Sequence, residues 1–182
     1  NYGVTGIMFY DDELNVNKGL VPLMKQIKGL QDSLGAEFRL RGFVKAELFT
    51  PEQAKAMYEA GFRWILTGFE SGSPRILENM NKKATQDDNT RCVQIAHEAG
   101  LKVKALMSVG HPGETAATIA ETKEGLERVN PDDFDLTTIT VYPGTPYYDQ
   151  AVETSPVVWT YTAKNGDTLH SEDVDYLKTE DY

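Results

Sequence analysis

Cysteine is almost absent from this sequence: Cys92 is the single cysteine among 182 residues. An intrachain disulfide is therefore excluded, and a reducing cytoplasm is the expected compartment. One thiol also cannot by itself hold a zinc ion or an iron–sulfur cluster, since these sites take several protein ligands. Cys92 falls within a helical pattern, where a structural role is expected.

Basic charge is also scarce, because 18 Lys and Arg residues stand against 28 Asp and Glu residues and leave a net charge of −10. A general nucleic-acid-binding protein would show a basic face, so this balance argues against nucleic acid as a partner. No apolar run approaches the roughly 20 residues of a membrane span, and an acidic chain does not adhere to anionic membranes. We therefore expect neither a nucleic-acid nor a membrane partner.

The sequence further lacks an initiating Met, a visible targeting peptide and a glycine-rich dinucleotide fingerprint. It begins with Asn1-Tyr2 and enters an apolar strand almost at once, so we expect it to be a piece of a longer protein. Its 182 residues are enough for one domain with a sizeable core. The missing fingerprint disfavours a dinucleotide-binding domain.

What the sequence does contain is a strict alternation of short apolar runs and segments with helical spacing, which predicts a parallel sheet. The sheet is either an open doubly wound sheet or part of a barrel, and ligands bind at the carboxyl ends of the strands in both. Residues 1–150 form this predicted core, and 151–182 form an extension with a hairpin around Asn165-Gly166. The predicted strands cover residues 4–10, 38–44, 62–69, 101–110 and 132–142.

Polar and small residues gather just past the predicted strands, as a ligand site requires. Glu70 lies between an apolar strand and a helix, so its carboxylate is expected to face the strand-end cavity. It suits two roles: accepting hydrogen bonds from a vicinal diol such as ribose, or acting as a general base. The whole set is Asp11, Asp12, Glu13, Lys45, Glu47, Gly68, Glu70, Ser71, Gly72, Ser73, Gly110, His111, Pro112, Gly113, Glu114, Tyr142, Pro143 and Gly144.

Several members of this set also have plain structural interpretations. Ser73 with Pro74 is typical of a helix start, and Glu114 suits the first turn of a helix. Asp11 and Asp12 equally fit a cap for the following helix. Other polar residues near or beyond the set are expected to be structural or solvated: His97 within a helix, His111 in a solvated loop, and His170 in the tail without a partner.

The residues in this order resemble the later part of the radical S-adenosylmethionine (radical SAM) core. The segments that carry the resemblance are "GFRWILTGFESGSPRIL", "AHEAGLKVKALMSVGHPGET" and "TVYPGTPYYDQA", with "FYDDELNVNK" near the start. The most similar subgroup pairs this core with a cobalamin-binding domain. The resemblance implies a partial (β/α)6 TIM-like barrel whose first βα unit is missing. It also implies a [4Fe-4S] cluster that reduces S-adenosylmethionine to a 5′-deoxyadenosyl radical, which abstracts hydrogen from a small-molecule substrate.

The resemblance also implies roles for individual residues. Glu70 and Ser71 match the ribose-contacting position, with Gly68 beside them. Lys45 matches a basic position that reaches the cofactor carboxylate, and Asp11 and Asp12 stand where the methionyl amino group is bound. The segment from Met107 to Gly110 stands where backbone and apolar side chains line the adenine in that family.

The sequence departs from the family in one respect, because the three-cysteine loop CxxxCxxC is absent. We expect the cluster ligands upstream of Asn1, and the fragment alone to be inactive; the complete enzyme then needs an external electron donor. Two alternatives stay open from the residues alone. One is an ordinary α/β-barrel lyase or hydrolase with Glu70 as general base and Lys45 as its electrostatic partner, and the other is a non-catalytic binding module.

Overall fold

The computed structural model describes residues 3–156 and 158–172. Strands and helices alternate along the chain as predicted, and a group of three strands then follows. Two single 3-10 turns lie at Leu14–Val16 and Ala46–Leu48. The elements are β1 (Gly6–Met8), α1 (Leu20–Leu34), β2 (Arg39–Phe43), α2 (Pro51–Glu59), β3 (Phe62–Glu70), α3 (Pro74–Asn79), α4 (Gln86–Glu98), β4 (Lys102–Val109), α5 (Ala116–Val129), β5 (Asp133–Thr138), α6 (Pro146–Asp149), β6 (Val152–Ser155), β7 (Val158–Thr162) and β8 (Thr168–Glu172).

The larger sheet has the strand order β1-β2-β3-β4-β5, which is also the order along the chain. The pairs β1–β2, β2–β3 and β3–β4 are parallel. Beside β4, the Asp132 amide donates to the Val103 carbonyl at 3.0 Å and the Ile139 amide donates to the Val109 carbonyl at 2.8 Å. Because these partners advance together along both segments, β5 also runs parallel, and the predicted parallel sheet is confirmed.

The chain packs into two compact units that interleave in sequence. The first unit contains residues 3–70, 84–107 and 126–135. The second contains residues 71–83, 108–125 and the described residues from 136 onward. The boundary at residue 150 between a core and an extension stays a prediction.

The core of the first unit lies between the sheet and helices α1, α2 and α4. Met24, Met57, Phe62, Ile65 and Val103 have no exposed surface within it. Burying a side chain of this size stabilises the fold by about 1.5–3 kcal/mol. Cys92 is buried in the same cluster, in line with the structural role expected for it.

Capping residues fix where helices α2 and α4 of the first unit begin. Thr50 and Gln53 form the reciprocal capping box predicted for α2, with Pro51 at the first helical position. Thr85 and Asp88 form a second capping box at α4. The backbone amide of Thr85 donates to Asp88, and this hydrogen bond, more than any other contact, lowers the pKa of that carboxyl.

In the second unit, strands β6, β7 and β8 form an antiparallel sheet in that order. The predicted hairpin around Asn165-Gly166 is confirmed, because Gly166 lies in the turn between β7 and β8 with φ +90°. The helical turn predicted after Pro143 is α6, whereas strand β6 was not predicted. Within the described residues, none of the helices is both long enough and apolar enough to span a bilayer.

Candidate functional site

Asp11 and Asp12 follow β1 in an exposed segment of the first unit. The N-cap residues of the next two elements are Glu13, before the 3-10 turn, and Gly19, before α1. Neither element has a side-chain cap hydrogen bond. The interpretation of the two aspartates as helix caps is therefore wrong. Their carboxylates are instead placed at the end of a parallel strand, facing solvent.

Lys45 lies two residues past the end of β2 and is flanked by carboxylates. Its ammonium is 3.6 Å from Glu13 Oε2 and 3.5 Å from Glu47 Oε1, and its side chain is about one third exposed (36%). Exposed pairs of this length contribute little stability. The Lys45 ammonium is therefore accessible to solvent at the end of β2, beside Glu13, which follows β1.

The backbone of Lys45 is held by Asn15, a residue that the sequence did not single out. The Asn15 amide donates to the Lys45 carbonyl at 2.9 Å, and its side-chain oxygen accepts from the Lys45 amide at 2.8 Å. Asn15 is buried, with 5% of its surface exposed, while Asn17, two residues later, is exposed. Both backbone groups of Lys45 are therefore fixed by one side chain.

Glu70 ends β3 in a left-handed backbone conformation, with φ +63°. A non-glycine residue rarely adopts this conformation, which costs about 1 kcal/mol or more and is found more often at functional sites. The strand is irregular here: Gly68 pairs with Leu106, and Glu70 then pairs with Met107, so residue 69 bulges out of register. Because of the bulge, the half-buried Glu70 does not follow the side-to-side alternation of side chains in the rest of β3.

The structure thus brings together three of the predicted site residues at neighbouring strand ends of the first unit. Gly68 and Glu70 lie on β3, and Met107 lies on β4 opposite Glu70. Met107 is buried, with 3% of its surface exposed, and belongs to the hydrophobic core of this unit. The roles assigned to these residues stay predictions.

Ser71 and Gly110 belong to the second unit. The buried Ser71 hydroxyl lies 2.9 Å from Thr122 Oγ1 and accepts the Ser73 amide at 3.0 Å. Ser73 occupies the N-cap position of α3 with Pro74 next, as predicted, but its hydroxyl makes no cap hydrogen bond and is buried without a hydrogen-bond partner in the described part of the chain. The Ser71 hydroxyl instead holds the backbone amide of this N-cap residue.

Gly72 is required at its position because a Cβ there would lie 2.6 Å from the Cα of Thr122. The absence of a side chain lets the Thr122 hydroxyl accept the Gly72 amide at 3.1 Å. A little further along, Gly110 has φ +96° and its amide donates to the Glu114 carboxylate. Glu114 thus binds the strand-end loop from a position before α5.

His111 is buried rather than solvated, which corrects the sequence-based interpretation. Its Nε2 lies 2.8 Å from Ser108 Oγ and its Nδ1 lies 3.3 Å from the Tyr147 hydroxyl. Burial raises the pKa of Tyr147 to about 12, so its phenol stays protonated at neutral pH and can donate to Nδ1. The second correction concerns His170, whose Nδ1 lies 2.8 Å from Thr160 Oγ1 within the hairpin sheet.

Asp167, in the hairpin turn, binds helix α3 and a neighbour in its own turn. Its carboxylate accepts hydrogen bonds from Arg75, which donates through Nε at 2.8 Å and through Nη2, and from Asn79 at 2.8 Å and Asn165 at 2.9 Å. The hydrogen bonds from Arg75, followed by the one from Asn79, hold the pKa of Asp167 well below its usual range. We call these four residues the Asp167 latch.

The latch also reaches the loop after β4. Asn79 donates to the Pro112 carbonyl at 2.7 Å, and Gly113 lies so close to the Asp167 carboxylate that any Cβ would collide with it. Gly113 has φ +78°, a second reason for glycine there. The hairpin turn, α3 and the loop that carries His111 are therefore joined.

Comparison with known proteins decides the family. The sequence model of the Radical SAM superfamily matches residues 1–126. The chain belongs to the radical SAM superfamily. The resemblance recognised in the sequence is thereby confirmed.

Relatives and solved structures agree with this membership. The chain is 32% identical, over 154 residues, to an uncharacterized methyltransferase from Pyrococcus horikoshii, covering 83% of this chain and 32% of the relative. It superposes with a TM-score of 0.74 on the radical S-adenosylmethionine methyltransferase TsrM from Kitasatospora setae, solved with cobalamin and a [4Fe-4S] cluster, at 21% identity over 90% of this chain and 34% of that one. Coproporphyrinogen III oxidase from Escherichia coli, a radical SAM enzyme, gives 0.66 at 14% identity over 77% and 33%.

These likenesses show the fold: the parallel sheet is part of a TIM-like radical SAM barrel, as the resemblance implied. The chain spans about a third of the length of the relatives it matches.

A radical SAM cluster requires thiolate ligands, and the residues described here do not supply them. Cys92 has no exposed surface, and burial raises the pKa of its thiol to about 12. Over residues 3–156 and 158–172, no group of three or more His, Cys, Asp or Glu side chains is arranged to hold a metal ion. The cluster does not fit the described part of this radical SAM chain.

Proposed function

We propose that this chain is the S-adenosylmethionine-binding part of a radical SAM enzyme that, when complete, acts on a small-molecule substrate by hydrogen abstraction or by methyl or group transfer. S-adenosylmethionine, when bound to such an enzyme with a reduced cluster, supplies a 5′-deoxyadenosyl radical. The cofactor performs the difficult chemistry, and the protein binds, orients and shields it. The 182 residues alone are expected to be inactive.

One observation carries the proposal: the carboxyl ends of three adjacent parallel strands in the first unit carry a cation, a carboxylate and an apolar side chain. Lys45 follows β2, Glu70 ends β3 in a strained conformation, and Met107 lies opposite it on β4. These groups match the chemistry of the cofactor, because an ammonium pairs with a carboxylate and a carboxylate accepts from two vicinal hydroxyls. Met107 is proposed to lie beneath the adenine.

Asp11 and Asp12 complete the set in the first unit. Both are exposed at the end of β1 and suit a positively charged amino group. In the second unit, Ser71 and Gly110 are proposed for the ribose and the adenine respectively. The Ser71 hydroxyl already contacts Thr122 and Ser73, so its contribution is to place the Glu70-Ser71 junction.

The cluster ligands are proposed to come from a segment outside this sequence, since Cys92 cannot serve. The complete protein would then take electrons from an external donor, in the reducing cytoplasm that the cysteine content favours. Cobalamin, which the TsrM structure contains, is proposed as a further cofactor of the complete protein. The net charge of −10 supports a substrate other than nucleic acid.

Binding of S-adenosylmethionine to the complete protein, with its cluster reconstituted under anaerobic conditions, tests the proposal. Glu70→Gln removes a charged acceptor, and hydrogen bonds to charged groups contribute about 1.5–3 kcal/mol. Affinity measured by equilibrium dialysis should therefore fall roughly 10- to 100-fold. Lys45→Met should weaken binding too. Lys55→Met and Glu59→Gln, which each remove one charge of an exposed ion pair on α2, are matched controls and should leave the affinity unchanged.

Formation of 5′-deoxyadenosine after reduction is the second readout. The complete protein should produce it, and Glu70→Gln should produce it only at raised cofactor concentration. Unchanged affinity for S-adenosylmethionine in both Glu70→Gln and Lys45→Met would contradict the proposed binding site. A complete protein that yields no 5′-deoxyadenosine with an intact reduced cluster would contradict the proposed reaction.

A further inference from the structure

A cavity of about 630 Å³ is lined by residues of the second unit alone. Volumes of 300–1,000 Å³ are typical of sites for small organic ligands. Its lining comes from α3 and the residues after it, from the segment after β5, from α6 and from the β7–β8 hairpin. The β7–β8 hairpin thus contributes to a cavity.

One wall of the cavity is aromatic. The rings of Tyr147 and Tyr161 are 4.7 Å apart at an angle of 49°, and His111 meets the Tyr147 ring edge-on with centroids 6.2 Å apart. Ile139 adds an apolar side chain. A row of half-buried rings offers favourable stacking or edge contacts to a flat apolar group.

The mouth of the cavity carries one charge of each sign. Glu78 on α3 and Lys164 at the start of the hairpin turn are exposed residues that line it. Within residues 3–156 and 158–172, neither side chain has an ion-pair partner. Both charges are therefore available to a ligand.

The Asp167 latch fixes the two elements that carry these charges. Asn79 is next to Glu78 on α3, and Asn165 is next to Lys164 in the turn, and the two amides are joined at 2.7 Å. Asp167 binds both of them as well. The backbone positions that carry Glu78 and Lys164 are consequently held before any ligand arrives, and such preorganisation favours binding.

From these contacts we infer that the cavity binds a zwitterion with a flat aromatic body, that is, an aromatic α-amino acid. The ring lies against Tyr147 and Tyr161, the ammonium faces Glu78 and the carboxylate faces Lys164. A phosphorylated ligand fits less well, because Lys164 is the single Lys or Arg among the described lining residues. The inference concerns binding alone and does not depend on the radical reaction.

Calorimetry on the 182-residue chain tests this with four probes: L-tryptophan, tryptamine, which lacks the carboxylate, indole-3-propionate, which lacks the ammonium, and glycine, which lacks the ring. L-tryptophan should bind most tightly and glycine should give no measurable heat. Lys164→Met should weaken L-tryptophan and indole-3-propionate about 3- to 10-fold and leave tryptamine unchanged. Glu78→Gln should weaken L-tryptophan and tryptamine and leave indole-3-propionate unchanged, as expected for partly exposed ion pairs of about 1 kcal/mol.

Matched substitutions outside the cavity, Lys25→Met and Glu124→Gln, control for net charge and should leave all affinities unchanged. Tyr161→Leu should weaken every indole probe, and circular dichroism checks that each variant is folded. The inference is overturned if L-tryptophan does not bind, or if the two charge variants affect all three indole probes equally. Because no cluster or S-adenosylmethionine is present, either result leaves the proposed function untouched.

Discussion

The side chain of Asn15 hydrogen-bonds both backbone groups of Lys45, accepting from its amide at 2.8 Å and donating to its carbonyl at 2.9 Å. The side-chain amide of Gln53 in turn donates to the backbone carbonyl of Asn15 at 3.4 Å. A residue after β1 therefore determines where the lysine after β2 is held. The lysine proposed to meet the cofactor carboxylate is therefore positioned by the side chain of Asn15.

Asn15→Ala should destabilise the chain by about 2–4 kcal/mol, because two backbone groups near a buried side chain lose their partners. Urea unfolding measures this. Asn17→Ala, two residues further along in an exposed position, should cost less than about 1 kcal/mol, since it loses one local bond to the Gly19 amide. In the complete protein, Asn15→Ala should also weaken S-adenosylmethionine binding. Equal effects of the two substitutions would contradict the positioning role.

The backbone of Glu70 leads to a separate prediction about stability. Because φ is +63° at this position, glycine fits it better than alanine does. Glu70→Gly should therefore be more stable than Glu70→Ala by about 1 kcal/mol, the reverse of the order expected within a regular strand. Urea unfolding of the two variants decides the point. An alanine variant at least as stable as the glycine variant would show that the conformation is not retained.

How far the sequence predicts this molecule depends on the range of each interaction. Strands and helices follow from local periodicity, and the capping box of Thr50 and Gln53 spans only three residues. That Gly68, Glu70 and Met107 lie at neighbouring strand ends also follows, because the carboxyl ends of parallel strands share one edge. The sequence feature that pointed to Glu70 is a carboxylate between Gly68 and Gly72 after an apolar strand, and its role stays a prediction.

The interactions that the sequence did not reveal connect distant residues. Asn15 lies 30 positions from Lys45, and Asp167 lies 92 positions from Arg75. No local pattern separates Asn15 from Asn17, or Asp167 from an ordinary turn aspartate. His111 looked solvated because Gly110 and Pro112 surround it, yet Tyr147, 36 residues later, covers it. Burial of such polar residues is decided by tertiary packing.

The Asp167 latch predicts a pH dependence of stability. Arg75, followed by Asn79, keeps the pKa of Asp167 below the value near 3.9 of an unfolded aspartate. The unfolded chain therefore binds the proton more readily, so the latch contributes its full stability above about pH 4 and loses it as the pH falls further. The difference in unfolding free energy between the native chain and Asp167→Asn should be largest at neutral pH and shrink toward pH 2.

Urea titrations between pH 2 and pH 7 measure this difference. Glu124→Gln, which removes an exposed carboxylate of α5, is the control for the loss of one negative charge. A difference for Asp167→Asn that does not change with pH would mean that the carboxylate is not held ionised by its partners.

Cys92 should be chemically silent in the folded chain although it is the single thiol. Burial raises its pKa to about 12, and it has no exposed surface in the core of the first unit. A thiol-specific disulfide reagent at pH 8 should therefore react only at the rate of unfolding, and at once in urea. Because an unfolded thiol ionises near pH 8.5, stability should also fall as the pH rises from about 8.5 toward 12, and Cys92→Ala should lose this part of the decline. Fast, stoichiometric labelling of the folded chain would contradict the buried position and reopen Cys92 as a possible metal ligand.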